Sequence, residues 1–73
     1  MEKFRKGEKV RVNGSIVNLE KKQTLLDFLK VQKYDFARIA VERNGEIVPK
    51  AAYMDVFLED EDKLEIVQFV GGG

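Results

Sequence analysis

An Asn-Gly dipeptide in the stretch KVRVNGSIVNL constrains the fold of this chain more than any other feature. Apolar residues alternate with charged ones before Asn13-Gly14, at Val10 and Val12, and a second apolar run starts at Ile16. Asn and Gly both tolerate the positive φ angles of a type I′ turn, so this dipeptide between apolar runs is the strongest short signal of a β-hairpin. The sequence therefore predicts a hairpin near the start of the chain.

The same dipeptide recurs at Asn44-Gly45, between the alternating Ile39 and Val41 and a short apolar pair that stops at Pro49. This pattern predicts two further short strands joined by a turn. The segment KAAYMDVFL comes next and is ambiguous. We interpret it as one turn of helix followed by a short edge strand.

The stretch QTLLDFLKVQKY predicts the one substantial helix of the chain. Thr24, followed three residues later by Asp27, approximates a capping box, with a shorter acid than the usual Glu. Leu25, Phe28 and Leu29 form an apolar stripe at helical spacing. Because a helix of about 10 residues is not stable alone in water, we expect it to pack on the sheet.

The last apolar stretch, KLEIVQFV, predicts a strand that is apolar on both faces. Leu64 and Ile66 point to one face, and Val67 and Phe69 point to the other. Such a strand is usually central and covered twice, yet a single helix can cover only one face. Val67 and Phe69 therefore either lie under the KAAYMDVFL segment or form an exposed apolar patch of the kind that marks an interface.

Length and composition exclude several kinds of site. The 73 residues allow one domain, which we place at residues 9–70, after a flexible extension (1–8) and before a flexible glycine tail (71–73). The chain has no cysteine and no histidine, which removes the thiolate and the imidazole that most often serve as nucleophile, general base or transition-metal ligand. We therefore predict that it is not an enzyme and binds no metal or other cofactor.

Charge is divided unevenly along a chain whose net charge is zero. Residues 1–33 contain nine Lys/Arg and four Asp/Glu, and residues 34–73 contain four Lys/Arg and nine Asp/Glu. The acidic half predicts docking onto a basic protein surface, and no basic-aromatic pattern indicates nucleic acid. No apolar run approaches the roughly 20 residues that span a bilayer, and no signal peptide is evident, so we expect a cytoplasmic protein without a membrane partner.

Four stretches, taken in order, resemble the β-grasp, ubiquitin-like sulfur carriers, and most closely the thiamine-biosynthesis (ThiS-type) family. They are VNG, QTLLDFL, NGEIVPK and DKLEIVQFVGGG. The resemblance implies an α+β fold with a four- to five-stranded mixed sheet and one main helix on one face. One departure concerns the turn before the last strand, where the family often has Gly between two acids and this chain has Glu61.

The resemblance also implies a function. Members of the family are adenylated at their terminal carboxylate by a ThiF-type enzyme, which is similar to ubiquitin-activating enzymes and uses ATP. The carboxylate then becomes a thiocarboxylate, whose sulfur a ThiG-type thiazole synthase receives, and a donor such as a cysteine desulfurase supplies that sulfur. By position, the carboxylate is that of Gly73, with Gly71 and Gly72 as the part that threads into the partner.

Glycine suits such a tail because three extended residues span about 10 Å and the absence of Cβ permits a narrow channel. The folded body then has to dock on the activating enzyme. The expected docking residues combine the apolar pair with nearby acids: Val67, Phe69, Glu59, Asp60 and Asp62.

Two alternatives remain open at this point. The small subunit of molybdopterin synthase also ends in Gly-Gly on a β-grasp, although it often has a Pro-containing segment before the diglycine that EIVQFVGGG lacks. A ubiquitin-like binding module with an inert glycine tail is the second alternative, and for it the tail would serve only as a linker.

Overall fold

The computed structural model describes residues 8–69, which form one five-stranded sheet crossed by one α-helix. The elements in chain order are β1 (Lys9–Val12), β2 (Ser15–Asn18), α1 (Leu25–Val31), β3 (Ile39–Arg43), β4 (Glu46–Val48) and β5 (Lys63–Gln68). The strand order is β2-β1-β5-β3-β4, with β1 and β5 parallel and the other neighbours antiparallel. This mixed sheet confirms the predicted fold class.

Both Asn-Gly turns have the backbone angles that the sequence predicts. The φ angles are 50° and 88° at Asn13 and Gly14, and 53° and 89° at Asn44 and Gly45. An added Cβ at either glycine would meet no atom within 4 Å, so the positive φ angle is what favours glycine there. The first turn joins β1 to β2 and the second joins β3 to β4.

Helix α1 begins after Thr24, as predicted, and is seven residues long, which is shorter than expected. The Thr24 hydroxyl oxygen accepts the N–H of Asp27 at 3.1 Å and so satisfies one of the free donors of the first turn. The helix ends because Lys33 adopts a φ of 66°, a left-handed position in which the chain leaves the helical path. Its buried side chains, which include Leu25 and Leu29, face the sheet.

The core lies between α1 and one face of the sheet. Its buried apolar residues come from β1, α1, β3 and β5 and from the segments that follow β2 and β4: Val10, Val12, Leu19, Leu25, Phe28, Leu29, Ile39, Val41, Tyr53, Leu58, Leu64 and Ile66. Leu25 and Leu29 of the helix therefore share one core with Val12 and Ile66 of the sheet. The opposite face of the sheet has no helix over it in the described part of the chain.

The KAAYMDVFL segment differs in part from its predicted structure. Lys50–Ala52 is one turn of 3-10 helix, as expected, but no edge strand follows it, because Phe57 makes only an isolated bridge to Thr24. Leu25 donates its N–H to Val56 O at 2.7 Å, and Leu26 donates to Tyr53 O at 3.0 Å. The segment therefore lies against the start of α1 and leaves the outer face of β5 uncovered.

The backbone pairing at the start of the sheet includes Glu8, the residue just before the predicted domain 9–70. Glu8, which the sequence suggests is part of the extension, accepts the N–H of Leu19 through its carbonyl oxygen at 2.9 Å and so continues the β1–β2 pairing. Residues 1–7 lie outside the described residues. Within residues 8–69, no helix is long and apolar enough to cross a membrane.

Candidate functional site

Strand β5 is the centre of the sheet and is held on both edges. On the β1 side, Arg11 donates its N–H to Asp62 O at 2.8 Å. On the β3 side, Asn44 donates to Lys63 O at 2.7 Å, and Phe69 donates to Arg38 O at 2.7 Å. The strand that leads into the glycine tail is therefore part of a rigid element, which is the best support for a site that must be placed accurately.

The outer face of β5 carries an exposed apolar patch near the end of the strand. Val67 is 57% exposed and Phe69 is 54% exposed, while Leu64 and Ile66 on the other face are buried. Ala40 on β3 lies directly opposite Val67. Of the two arrangements that the sequence left open, the structure has the exposed one, and we call Ala40, Val67 and Phe69 the tail patch.

Two carboxylates lie beside the tail patch, one of which the sequence did not reveal as part of the site. Glu65 precedes Val67 on the same face of β5, and its direct partner across the β3–β5 ladder is Glu42. Both residues are exposed. Like charges directly opposite each other in an antiparallel pair are unfavourable, so this pair gives the face a concentrated negative charge. Only the register of β3 against β5 brings Glu42 here, and no local pattern encodes that register.

Asp62 does not belong to the docking surface, and the expectation that it does is wrong. The residue is 5% exposed. Its Oδ2 accepts Arg43 Nε–H at 3.0 Å and Glu59 N–H at 2.8 Å, and its Oδ1 accepts an amide hydrogen of Asn44 at 3.1 Å. These bonds tie the turn before β5 to the β3–β4 hairpin, so the carboxylate serves the fold and cannot contact a partner.

Glu59 and Asp60 are exposed, but the structure does not bring them to the tail patch. They precede β5, whereas the tail patch is at its end, and a six-residue strand is about 20 Å long. Asp60 Oδ1 also accepts the N–H of Lys9 at 2.8 Å, on the β1 side of the sheet. The predicted docking residues therefore lie at two separate places on the body.

Glu61 occupies the turn position where the resemblance led us to expect glycine. Its φ angle is 71°, in the left-handed region that glycine adopts at little cost. The backbone of the turn therefore keeps the conformation that suits glycine, and backbone hydrogen bonds hold Glu61 in it. Glu61 donates its N–H to Lys9 O, and Asp62 donates to Glu59 O at 3.0 Å.

The described residues offer little catalytic chemistry. Within residues 8–69, no three acidic side chains are grouped so that they could hold a metal ion. Burial raises the pKa of the Tyr53 hydroxyl above its ordinary value of 10.0, so this group stays protonated near neutral pH. Gly71, Gly72 and Gly73 lie outside the described residues, and their roles remain predictions.

The sequence model of the ThiS family matches residues 5–73 of the chain. The sulfur carrier protein ThiS of Bacillus subtilis is 42% identical over 65 residues, which cover 88% of this chain and 98% of that protein. A thiazole synthase of Paramagnetospirillum magneticum is 46% identical over 65 residues, which cover 89% of this chain and 20% of that protein. The chain thus spans only about a fifth of the length of that thiazole synthase.

The fold is also similar to solved structures. A crystal structure of the thiamine biosynthesis protein ThiS of Geobacter metallireducens matches with a TM-score of 0.76 and 26% identity, over 89% of this chain and 99% of that one. A solution structure of a thiamine biosynthesis protein from the same organism matches with a TM-score of 0.73 and 31% identity. These neighbours confirm the β-grasp arrangement of one helix on a mixed sheet.

Proposed function

Because the chain belongs to the ThiS family, we propose that it is the sulfur carrier of thiamine biosynthesis and that it carries the sulfur on the carboxylate of Gly73. A protein of this family is a carrier on which other enzymes act, and not an enzyme itself. The observation that supports the site is the geometry of β5. This strand is anchored on both edges, carries the tail patch on its outer face, and leads directly toward the glycines.

The proposed chemistry has two steps. An oxygen of the Gly73 carboxylate attacks the α-phosphate of ATP and releases pyrophosphate, which leaves an acyl-adenylate. Hydrosulfide then attacks the acyl carbon and expels AMP, which leaves a thiocarboxylate. Where the donor delivers a persulfide instead, its attack expels AMP and gives an acyl disulfide, and a second thiol releases the thiocarboxylate by forming a disulfide with the donor's sulfur. Both steps take place in the active site of a ThiF-type adenylating enzyme, which binds the ATP, while the carrier supplies only the reacting group and its positioning.

In this proposal the body of the carrier docks while the tail enters the active site. The tail patch supplies apolar area, and the neighbouring Glu42 and Glu65 supply negative charge for a basic, partly apolar surface. Contacts on the body offset the entropy that three glycines lose on threading. Glu59 and Asp60 then have a lesser role, since they lie at the other end of β5.

The thiazole synthases support the choice of the downstream partner. Those of Paramagnetospirillum magneticum and Magnetococcus marinus each match this chain over 65 residues, or 20% of their length. When a carrier-like region is part of the same chain as a synthase, the region is held near the rest of the synthase at high effective concentration. We therefore propose that a ThiG-type thiazole synthase receives the sulfur, that a donor such as a cysteine desulfurase provides it, and that the pathway operates in the cytoplasm.

Intact-mass measurement tests the proposed function directly. The purified protein is incubated with ATP, sulfide and a ThiF-type enzyme, and conversion to a thiocarboxylate raises its mass by about 16 Da as sulfur replaces one oxygen. Omission of ATP is the control and should leave the mass unchanged. A chain whose mass never changes would instead be a binding module with an inert tail, and loading that a molybdopterin synthase but not a thiazole synthase consumes would place it in the other pathway.

A further inference from the structure

The side-chain amide of Asn13 bonds to both backbone groups of Ile66. Its Oδ1 accepts the Ile66 N–H at 2.8 Å, and its Nδ2 donates to the Ile66 carbonyl oxygen at 3.1 Å. The backbone N–H of Asn13 also donates to Leu64 O at 2.9 Å. Because β1 ends at Val12 and the chain turns away, this amide replaces the backbone groups that the next residue of a parallel strand would have offered to β5.

Asn44, in the other Asn-Gly turn, holds the opposite end of the same strand. Its Oδ1 accepts the Lys63 N–H at 2.9 Å, and its backbone N–H donates to Lys63 O at 2.7 Å. Both asparagines therefore form a left-handed turn and also bind the backbone of β5. Asn44 binds where the strand begins, and Asn13 binds toward its end.

The tether at Ile66 is the last one that β5 receives from the β1 side within residues 8–69. Beyond it, Phe69 donates its N–H to Arg38 O on the β3 side. Without the Asn13 amide, β5 would be held along only one edge from Ile66 onward, which is the stretch that carries Val67 and Phe69. The amide therefore controls how firmly the end of the strand is fixed to the body.

We infer that Asn13 is a positioning residue for sulfur loading, because its amide fixes the direction in which β5 delivers the glycine tail. This inference rests on the proposed function. Val67 and Phe69 directly follow Ile66, so a loosened strand shifts both the tail patch and the point from which the glycine tail starts. Reaction requires atoms about 3–3.5 Å apart, and a loosened strand makes that geometry rarer.

The test compares Asn13→Gly with Asn44→Gly. Glycine accepts the positive φ angle at both positions, so each variant keeps its turn and loses only its side-chain bonds to other residues. Adenylation by the ThiF-type enzyme is followed at varied carrier concentration, at a temperature where thermal melts show both variants fully folded. Hydrogen exchange at the Ile66 and Lys63 amides reports which end of β5 is loosened.

We expect Asn13→Gly to lower kcat/KM for the carrier about tenfold, as loss of two part-buried hydrogen bonds would allow. The kcat/KM of Asn44→Gly should stay within about twofold of the wild-type value, because this substitution loosens the end of β5 that is farther from the tail. Asn13→Asp keeps the acceptor for the Ile66 N–H but sets a carboxylate oxygen against the Ile66 carbonyl oxygen, so its kcat/KM should also fall below that of the wild type.

Equal kcat/KM for the two glycine variants, with faster exchange at Ile66 in Asn13→Gly, would show that the tether is structural only and would overturn the inference. If Asn13→Gly does not fold, the comparison of Asn13→Asp with Asn44→Gly decides in the same way. If the proposed function itself is wrong, the wild-type chain will not be adenylated, and this result distinguishes that case from a failure of the inference about Asn13.

Discussion

At the scale of single residues, the turn before β5 places a stabilising residue next to a strained one. Asp62 is a buried carboxylate whose hydrogen bonds join the turn to the neighbouring hairpin. Glu61, directly before it, is held in a left-handed conformation that favours glycine. The acidic run Glu59 to Asp62 therefore contains one buried residue that stabilises the fold and one residue with a strained backbone.

Replacing Asp62 with Ala should lower the free energy of unfolding by about 1.5–3 kcal/mol, because donors on Arg43, Asn44 and Glu59 lose a charged acceptor. Urea titration of the wild type and the variant measures the difference. Asp60→Ala is the matched control, since Asp60 is exposed and accepts one hydrogen bond from Lys9. Equal losses for the two variants would contradict the role that we assign to Asp62.

Replacing Glu61 with Gly should raise the free energy of unfolding by about 0.5–1 kcal/mol. The relief of strain at a φ of 71° exceeds the extra conformational freedom that glycine has in the unfolded chain. Thermal melts measure the change, and Glu61→Ala serves as the control because alanine also avoids positive φ. Stabilisation by alanine as large as that by glycine would mean that charge, and not backbone strain, is the cause.

At the scale of elements, the sequence predicted those features that depend on residues adjacent in the chain. The two Asn-Gly turns and the Thr24 cap were predicted because each depends on residues that are adjacent in sequence. The pairing of Glu42 with Glu65 and the burial of Asp62 were not, since both depend on which strands meet and in which register. The prediction of an edge strand in the KAAYMDVFL segment was wrong for the same reason, because contacts with α1 determine the path of this segment.

Helix α1 should contribute most of its stability through the buried stripe. Leu29 is fully buried, so Leu29→Ala should cost about 2–5 kcal/mol in free energy of unfolding through lost burial and the cavity that remains. Val31 lies in the same helix and is 67% exposed, so Val31→Ala should change stability by less than about 0.5 kcal/mol. Chemical denaturation of both variants provides the comparison, and a small loss at Leu29 would contradict the packing of α1 on the sheet.

At the scale of the whole molecule, the basic half and the acidic half of the sequence occupy different parts of the fold. The basic half contributes β1, β2 and α1, and the acidic half contributes β3, β4 and β5. In the sheet order, β2 and β1 lie side by side, and β5, β3 and β4 occupy the other part. The tail patch is therefore on the acidic part of the sheet, where a basic partner is attracted to it.

Phe69→Ala should weaken binding to the ThiF-type enzyme by about 2 kcal/mol or more, since exposed aromatic anchors dominate interface energies. Glu59→Ala, at the far end of β5, should change affinity little and act mainly on the association rate. Binding kinetics on immobilised enzyme distinguish the two. Binding that is insensitive to Phe69 but depends on residues 1–8 would place the interface elsewhere.

Extending the chain by one residue after Gly73 should abolish sulfur loading, because the new carboxylate is displaced by about 3.3–3.6 Å. Gly72→Val should also block loading through its bulk and restricted backbone, and deletion of Gly73 should cripple it by shortening the reach. Thermal melts confirm that each variant folds, and intact mass reports thiocarboxylate formation.

Normal loading of the extended form would show that the terminal carboxylate is not the group that carries sulfur. The proposed function would then fail as a whole, whatever the effect of the Gly72 variant. Loss of loading together with a lowered melting temperature would point instead to damage of the fold, which tail variants should not cause.

The central position of β5 also has a consequence for biosynthesis. The strands on either side of it, β1 and β3, are synthesised earlier, and their inner edges have no partner until residues 63–68 emerge from the ribosome. A chain interrupted before that point lacks the buried Leu64 and Ile66 and exposes open strand edges, which favour aggregation and degradation. A chain that stops before β5 therefore cannot close the sheet, and the strand that closes it is also the one that precedes the glycines in sequence.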